Sequence, residues 1–124
     1  MIRNNGVQEI LEKSVILADK LFMLASGASE EDSVLCHMLA EAGLLLAINL
    51  SDAAVGIRLR NRTDSLERAL KAAARGELFL EMLKAKGAIR EMLWASLKSE
   101  MRSMVRMAKK ELGGLTIRRE FHPF

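Results

Sequence analysis

The sequence predicts an all-α protein, an antiparallel up-down-up-down four-helix bundle. Helix-forming residues (Ala, Leu, Met, Glu, Lys and Arg) dominate the 124-residue chain, which holds one Pro, one Trp and no Tyr. Apolar residues recur at the helical period of 3.6 in four segments of similar length. The breaks between these segments are short, and short connections make consecutive helices antiparallel neighbours.

The first two predicted helices are the most apolar. Helix 1 spans about residues 7–25 and ends at the small-residue segment 26–29. Helix 2 spans about residues 30–55, with Ser29 as its N-cap and acidic residues in the first turn, where the helix dipole favours negative charge. Its apolar arc is wider than one bundle core needs. We therefore expect helix 2 to be both the central helix of the bundle and a contact between subunits.

Capping and stop signals define the last two helices. Asp64 and Glu67 have the spacing of a capping box at the start of helix 3, and Gly87 follows two lysines at its end. Helix 4 spans about residues 88–112, where a Gly-Gly pair at 113–114 is expected to end it.

These boundaries predict the domain organisation. A four-helix bundle occupies residues 1–114, and residues 115–124 form a flexible basic C-terminal tail without helical periodicity. A single domain is also what a chain of this length predicts.

Charge is distributed unevenly along the chain, although the net charge is only +3. Residues 1–54 hold three basic and eight acidic residues, a net charge of −5. Residues 55–124 hold sixteen basic and eight acidic residues, a net charge of +8. This asymmetry indicates either electrostatic pairing between the two halves or a basic face that binds a polyanion.

A basic stripe on helix 4 is the strongest functional signal. Lys98, Arg102, Arg106 and Lys109 follow one another at i, i+4, i+8 and i+11, opposite the apolar face. Such a stripe can follow a row of phosphates, and the indole of Trp94 at its margin can stack on a base. The alternative is a solvated helix face with a tryptophan at the edge of the core.

Three arginines between helices 2 and 3 extend the basic character, as do Arg118 and Arg119 in the tail. We predict a nucleic-acid-binding surface made of Arg58, Arg60, Arg62, Trp94, Lys98, Arg102, Arg106 and Lys109.

Catalytic, metal and cofactor sites are not predicted. The single Cys36 lies in an apolar helical pattern, which is typical of a buried core thiol. His37 and Glu41 share a helix face, but two ligands do not close a metal site, and His122 lies far away in the tail. No glycine-rich phosphate loop or Ser, His and Asp set is present. We expect no enzymatic activity, no metal and no cofactor.

The expected location is the cytoplasm. A single cysteine cannot form an internal disulfide, and the N-terminus has no continuous apolar segment like that of a secretion signal. The most apolar segment without a charge, residues 42–51, is much shorter than the roughly 20 residues needed to span a bilayer. We expect a soluble protein with no membrane partner.

Two short segments resemble a known family. "SDAAVG" at 51–56, followed by arginines, resembles the "SNIAEG…R" signature of the four-helix bundle proteins encoded by intervening sequences of bacterial large-subunit ribosomal RNA genes. "AARGELFLEML" at 73–83 resembles the "ARGSLxEL" of the same family. The matching residues are Ser51, Ala54, Gly56, Ala74, Arg75, Gly76 and Leu78.

A second group has the same fold, the accessory variability determinants of diversity-generating retroelements, and "MAKKELGGL" at 107–115 is similar to their Gly-Gly ending. The resemblance implies a basic subunit of a pentameric barrel that binds a reverse transcriptase and nucleic acid. A shared assembled surface of this kind would multiply the positive charge of each subunit.

Taken together, these features predict a non-enzymatic homo-oligomer, with a pentamer favoured. Its expected partners are RNA or another nucleic acid, or a nucleoprotein partner such as a reverse transcriptase. The alternative is a structural or protein-interaction module whose basic half pairs with the acidic half of a neighbouring subunit. In that case high salt would loosen the oligomer, whereas an oligomer held by apolar contacts would be insensitive to salt.

Overall fold

A computed structural model describes residues 5–56 and 58–121, with side chains described for 6–56 and 58–115. It contains four helices, α1 (Asn5–Ser26), α2 (Ser33–Val55), α3 (Leu59–Ala85) and α4 (Glu91–Phe121). Contacts join α1 to α2, α2 to α3, α3 to α4 and α4 back to α1, and the described residues show no diagonal pair. The predicted all-α four-helix bundle is therefore confirmed.

Residue pairs across helices fix the direction and register of α3 and α4. A Cβ atom at Gly76 would lie 2.8 Å from Cε of Met101, so the two helices meet closely there. Five residues later in α3, Glu81 forms an ion pair with Lys98, three residues earlier in α4. Because one number rises as the other falls, α3 and α4 are antiparallel neighbours. Gly76 is required at this contact because a side chain would displace the buried end of Met101.

The core is built from leucines of all four helices, three methionine or alanine positions of α4 and a run of small residues on α3. Removing this apolar surface from water is the main force that holds the bundle together. The largest fully buried side chains are Val7, Ile10, Leu17, Leu21, Leu39, Leu50, Leu66, Leu80, Leu83, Leu97, Met101 and Met104.

Helix α2 is not the central helix, and that part of the prediction is wrong. Among the described residues it contacts α1 and α3 and no other helix, just as every other helix contacts two neighbours. One face is buried, but the opposite face exposes large apolar side chains. These are Val34, Met38, Leu44, Ile48 and Val55. The wide apolar arc therefore exceeds what the core of one chain covers.

Helix α2 also begins later than predicted. Its N-cap is Asp32 rather than Ser29, and no side chain caps its first backbone N–H groups. The hydroxyl of Ser29 donates to the Asp32 carboxylate instead of accepting from the backbone. That carboxylate also pairs with Lys86 at 2.9 Å, which ties the α1–α2 connection to the α3–α4 connection.

Helix α3 begins at Leu59, five residues before the predicted capping box at Asp64. Gly56 is extended and ends α2, and Arg58 is extended and precedes α3, so only a very short connection separates the two helices. Thr63 donates from its hydroxyl to the carbonyl of Leu59 at 2.9 Å, which places it well inside the helix. The predicted capping box is therefore wrong, because the helix already exists at this point.

The end of α3 is as predicted. Gly87 has a φ of +70°, the left-handed conformation that favours glycine after a helix. Its N–H donates to the carbonyl of Lys84 at 3.0 Å, and the N–H of Ala88 donates to the carbonyl of Leu83 at 2.9 Å. These two bonds satisfy carbonyl groups that the end of the helix leaves without intrahelical partners.

Helix α4 passes through the Gly-Gly pair and continues to Phe121, so the prediction that these glycines end it is wrong. Leu115 explains the continuation. Its side chain is only 4% exposed and joins the core on the stripe that includes Met104 and Ala108. Burial of this leucine offsets the roughly 1 kcal/mol that each helical glycine costs. The bundle therefore reaches beyond residue 114, and the predicted flexibility of the tail stays a prediction.

Within the described part of the chain, α2 is long and apolar enough to cross a membrane. Core helices of soluble proteins pass the same test, and 44% of the most apolar window is buried inside the bundle. This burial is consistent with a soluble protein.

Candidate nucleic-acid interface

The basic stripe of α4 is present on the surface of the bundle. Arg102, Arg106 and Lys109 are exposed, and none of the three forms an ion pair with any residue that the structure describes. Successive members lie one helical turn or less apart, a rise of about 4.5–6 Å. Three unpaired cations in a row on one helix are available to a polyanion.

Lys98, the fourth member, is engaged within the protein. Its ammonium pairs with Glu81 of α3, and the Lys98 side chain is only 22% exposed. The same ammonium lies 4.7 Å from the centre of the Trp94 ring. The stripe therefore has two parts, a neutralised start at Lys98 and an unpaired remainder that begins at Arg102.

Trp94 is half-buried where α4 meets α3. Lys84 places its ammonium 3.4 Å from the centre of the indole ring, a cation–π contact in addition to that of Lys98. The indole N–H is buried and has no acceptor among the described residues. The ammonium groups of two lysines thus lie close to the indole ring that the sequence predicts to stack on a base.

Glu81 is surrounded by positive charge. The Lys98 ammonium donates a hydrogen bond to its carboxylate, and this bond lowers the pKa of Glu81 below its usual range. Lys84 and Arg102 lower the same pKa through their charges, against an opposing effect of desolvation. Glu81 is therefore ionised at neutral pH and neutralises one of the three surrounding cations.

The three arginines at the start of α3 lie on the helix or immediately before it, not in a loop. Arg58 and Arg60 are exposed, whereas Arg62 is half-buried. The stem of Arg62 packs where a side chain on Gly56 would stand, since a Cβ there would lie 2.7 Å from the Arg62 Cγ. No described residue forms an ion pair with any of the three.

The antiparallel register places these arginines beyond the end of the α4 stripe. Gly76 lies level with Met101, so the start of α3 lies level with about residues 116–119 of α4. That level is about 10–15 Å past Lys109 at 1.5 Å per residue. The two predicted groups therefore follow one another in level along the bundle axis. The side chains of Arg118 and Arg119 lie outside the described residues.

Lys84 and Glu81 are the residues of this surface that the sequence did not reveal. Lys84 reads as one of two cations that compensate the dipole at the end of α3, and Glu81 reads as an ordinary surface carboxylate. Their contacts with Trp94 and Lys98 depend on the register between two helices. The spacing of residues within one helix does not reveal how the two helices are aligned.

The remaining titratable residues whose side chains the structure describes show no comparable cluster. His37 bonds through Nδ1 to the carbonyl of Ser33 at 2.7 Å, within its own helix. Cys36 is buried as predicted, and desolvation raises the pKa of its thiol, which makes it a poor nucleophile. Among the described residues, no group of three or more His, Cys, Asp or Glu side chains is arranged to hold a metal.

A second surface, on α1 and α2, is apolar. It includes Phe22 on α1 and Leu44 on α2, which line one groove together with His37 and Glu41. The large exposed apolar side chains of these helices are Val15, Ile16, Phe22, Met23, Val34, Met38, Leu44, Ile48 and Val55. Phe22 and Leu44 lie together in one groove, so this part of the surface is a candidate contact between proteins.

The residues that resemble the intervening-sequence family include two glycines at close contacts and four exposed residues. Gly76 and Gly56 both stand where a side chain would collide with a neighbour, as described above. Leu78 differs, because it points away from the core and is 57% exposed. The two glycines therefore stand at close contacts within the chain, whereas Ser51, Ala74, Arg75 and Leu78 are exposed.

Comparison with known proteins supports the fold. No family model matches the chain, and no curated protein does. The chain is similar to the crystal structure of a protein of unknown function from the S23 ribosomal protein family of Bacteroides thetaiotaomicron, with a TM-score of 0.81 and 18% sequence identity. The match covers 87% of this chain and 98% of that chain. At this identity the likeness shows a shared fold.

Proposed function

We propose that this chain is a non-enzymatic, self-associating four-helix protein that binds RNA or another nucleic acid through the α3–α4 side of the bundle. The observation that carries the proposal is the row formed by Arg102, Arg106 and Lys109, which are exposed and have no ionic partner in the described part of the chain. Arg58 and Arg60 are also exposed and lie beyond the level of Lys109 along the bundle.

Phosphate contacts would supply most of the affinity. Arginine and lysine neutralise phosphates and release counterions, whatever the base sequence. A row of cations on one helix face offers no fixed set of base-reading groups, so recognition would be weakly sequence-specific. The S23 ribosomal protein family of the solved neighbour is in keeping with an RNA ligand.

Self-association would use the apolar surface of α1 and α2. Leu44, Ile48 and Phe22 are each about half or more exposed, and water contact with such side chains is unfavourable. A homo-oligomer would bury them and present several basic surfaces together. A pentamer, and service to a reverse transcriptase, are the forms of this proposal that the family resemblance implies.

The test is binding of a labelled 20-nucleotide single-stranded RNA, followed by fluorescence anisotropy at about 0.1 M salt. The variant Arg102→Glu/Arg106→Glu should bind about tenfold more weakly or worse, since it replaces two attractive charges with two repulsive ones. A matched control is Lys13→Glu/Arg75→Glu, which changes the net charge equally with two exposed residues outside the stripe. Unchanged affinity in the stripe variant, with helicity intact, would refute the proposal.

A second function is favoured by the uneven charge of the chain, −5 in residues 1–54 and +8 in residues 55–124. The chain could be a structural module without a nucleic-acid role, its basic half pairing with acidic residues of a neighbouring subunit. Light scattering after size exclusion separates the two functions. Dissociation in 1 M salt, with no bound RNA at low salt, would favour the structural module.

A further inference from the structure

The α3–α4 contact near Trp94 holds the densest charge cluster of the described residues. The Lys98 ammonium touches the Glu81 carboxylate and also lies 4.7 Å from the centre of the Trp94 ring. The Lys84 ammonium lies 3.4 Å from the same ring centre. One carboxylate and one aromatic ring thus organise two lysines from different helices.

The cluster keeps an excess of positive charge. Arg102, one turn after Lys98 on α4, is close enough for its charge to act on Glu81. Three cations therefore surround a single carboxylate. Glu81 itself is 47% exposed, and exposed ion pairs hold their partners only weakly. The carboxylate can turn into water, but Lys98, whose side chain is only 22% exposed, then requires another anion.

We propose that Lys84, Lys98 and Arg102 form a phosphate subsite for single-stranded RNA, which Glu81 occupies until a backbone phosphate displaces it. This inference rests on the function proposed above. The Glu81 carboxylate stands in for the phosphate by accepting from Lys98, and it holds the lysines in place. A phosphodiester oxygen accepts the same hydrogen bonds, and the phosphodiester is negatively charged at neutral pH.

The surroundings of the cluster suit a nucleotide. The ring of Trp94 offers a surface for base stacking once the lysines turn toward a phosphate. Its buried N–H lacks an acceptor among the described residues, an arrangement that costs free energy and that a ligand oxygen could relieve. Arg106 and Lys109 follow Arg102 at about 6 and 10 Å along α4, so further phosphates of the strand would meet further cations.

Trp94 provides a direct readout. It is the single tryptophan of the chain, which contains no tyrosine, so the intrinsic emission of the whole protein reports on this cluster. The labelled 20-nucleotide RNA should change the Trp94 emission with the same dissociation constant that anisotropy gives. A bound strand that leaves the emission unchanged would overturn the subsite.

Two variants test the displacement of Glu81. Glu81→Gln removes the competing carboxylate and should bind the RNA about two- to fivefold more tightly. Glu67→Gln is the matched control, because it makes the same charge change at an exposed position of the same helix, and it should change affinity less than about 1.5-fold. Lys84→Gln should weaken binding about two- to fivefold and reduce the change in Trp94 emission.

The outcomes separate this inference from the proposed function. If Arg102→Glu/Arg106→Glu abolishes binding while Glu81→Gln and Lys84→Gln bind like the unmodified protein, the nucleic-acid function stands and the subsite falls. If Glu81→Gln and Glu67→Gln gain affinity equally, net charge explains the effect and the subsite falls as well. If the unmodified chain binds no RNA, both are refuted.

Discussion

The outer faces of α2 and α4 are both helical, but they expose side chains of opposite polarity. Helix α2 exposes Leu44 and Ile48 on the side away from the core, whereas α4 exposes Arg102 and Arg106. Apolar side chains lower their free energy by leaving water, which a second protein surface allows. Arginines keep their charge in water and attract polyanions. Under the proposed function, the bundle would separate a protein-contact side from a polyanion-contact side, and variants can change each side by itself.

The largest expected effect comes from breaking the apolar side alone. Leu44→Asp/Ile48→Asp should turn the proposed homo-oligomer into a monomer, because two new negative charges per subunit would oppose burial of this face. Helicity should be kept, since neither side chain is buried in the chain. Light scattering after size exclusion measures the mass. An unchanged oligomer would mean that subunits do not meet through the outer face of α2.

The reciprocal variant completes this comparison. Arg102→Glu/Arg106→Glu should keep the mass of the unmodified protein and lose RNA binding. A change in both properties in either variant would show that the two surfaces overlap.

Salt should weaken RNA binding and leave the mass of the oligomer unchanged. Four phosphate contacts on a single strand predict a slope of about −3 in log affinity against log salt, so affinity should fall roughly 50-fold from 0.1 to 0.4 M. The mass of an oligomer held by apolar contacts should stay constant over this range. Anisotropy and light scattering on the same samples measure both. Dissociation in salt would instead support pairing between acidic and basic halves.

The stability of the C-terminal part of α4 can be tested separately, because the basic stripe lies on this helix. Leu115→Ala should lower the free energy of unfolding by about 2–3 kcal/mol, as expected for a leucine that is only 4% exposed. Gly114→Ala, with open space around it, should raise that free energy by about 0.5–1 kcal/mol. Urea denaturation measures both. A neutral Leu115→Ala would contradict packing of the helix beyond the glycines.

The smallest expected effect concerns the ion pair between the two connections. The hydrogen bond from Lys86 lowers the pKa of Asp32 below 3.8, and the hydrogen bond to Asp32 raises the pKa of Lys86 above 10.5. The pair therefore contributes stability above the unfolded pKa of the carboxyl, and this stability is lost as pH falls through the folded pKa.

Asp32→Asn removes this contribution at neutral pH. Urea midpoints of the variant and the unmodified protein should differ slightly at pH 7 and converge as pH falls through the folded pKa of Asp32. RNA affinity at pH 7 should not change, because the pair lies at the connections and not on the stripe. A constant difference at all pH values would mean that the ion pair is not its source.

Periodicity within single helices could be read from the sequence with few errors. The number of helices, the core thiol at Cys36, the stop at Gly87 and the stripe of cations on α4 each follow from spacing along one helix. The errors fall where a distant contact overrides a local signal. Burial of Leu115 lets α4 continue through two glycines. Asp32 pairs with Lys86, and α2 begins three residues later than predicted.

The sequence by itself determined an all-helical bundle with an apolar half and a basic half, because composition and period are properties of single segments. Only the tertiary structure decided which residues of different helices meet. It set Lys84 on the ring of Trp94, and it paired Lys98 with Glu81 while leaving Arg102 and Arg106 without a partner among the described residues. It also left the outer face of α2 uncovered. The physical reason is that the register between helices is fixed by close packing at residues such as Gly76, and no single segment records it.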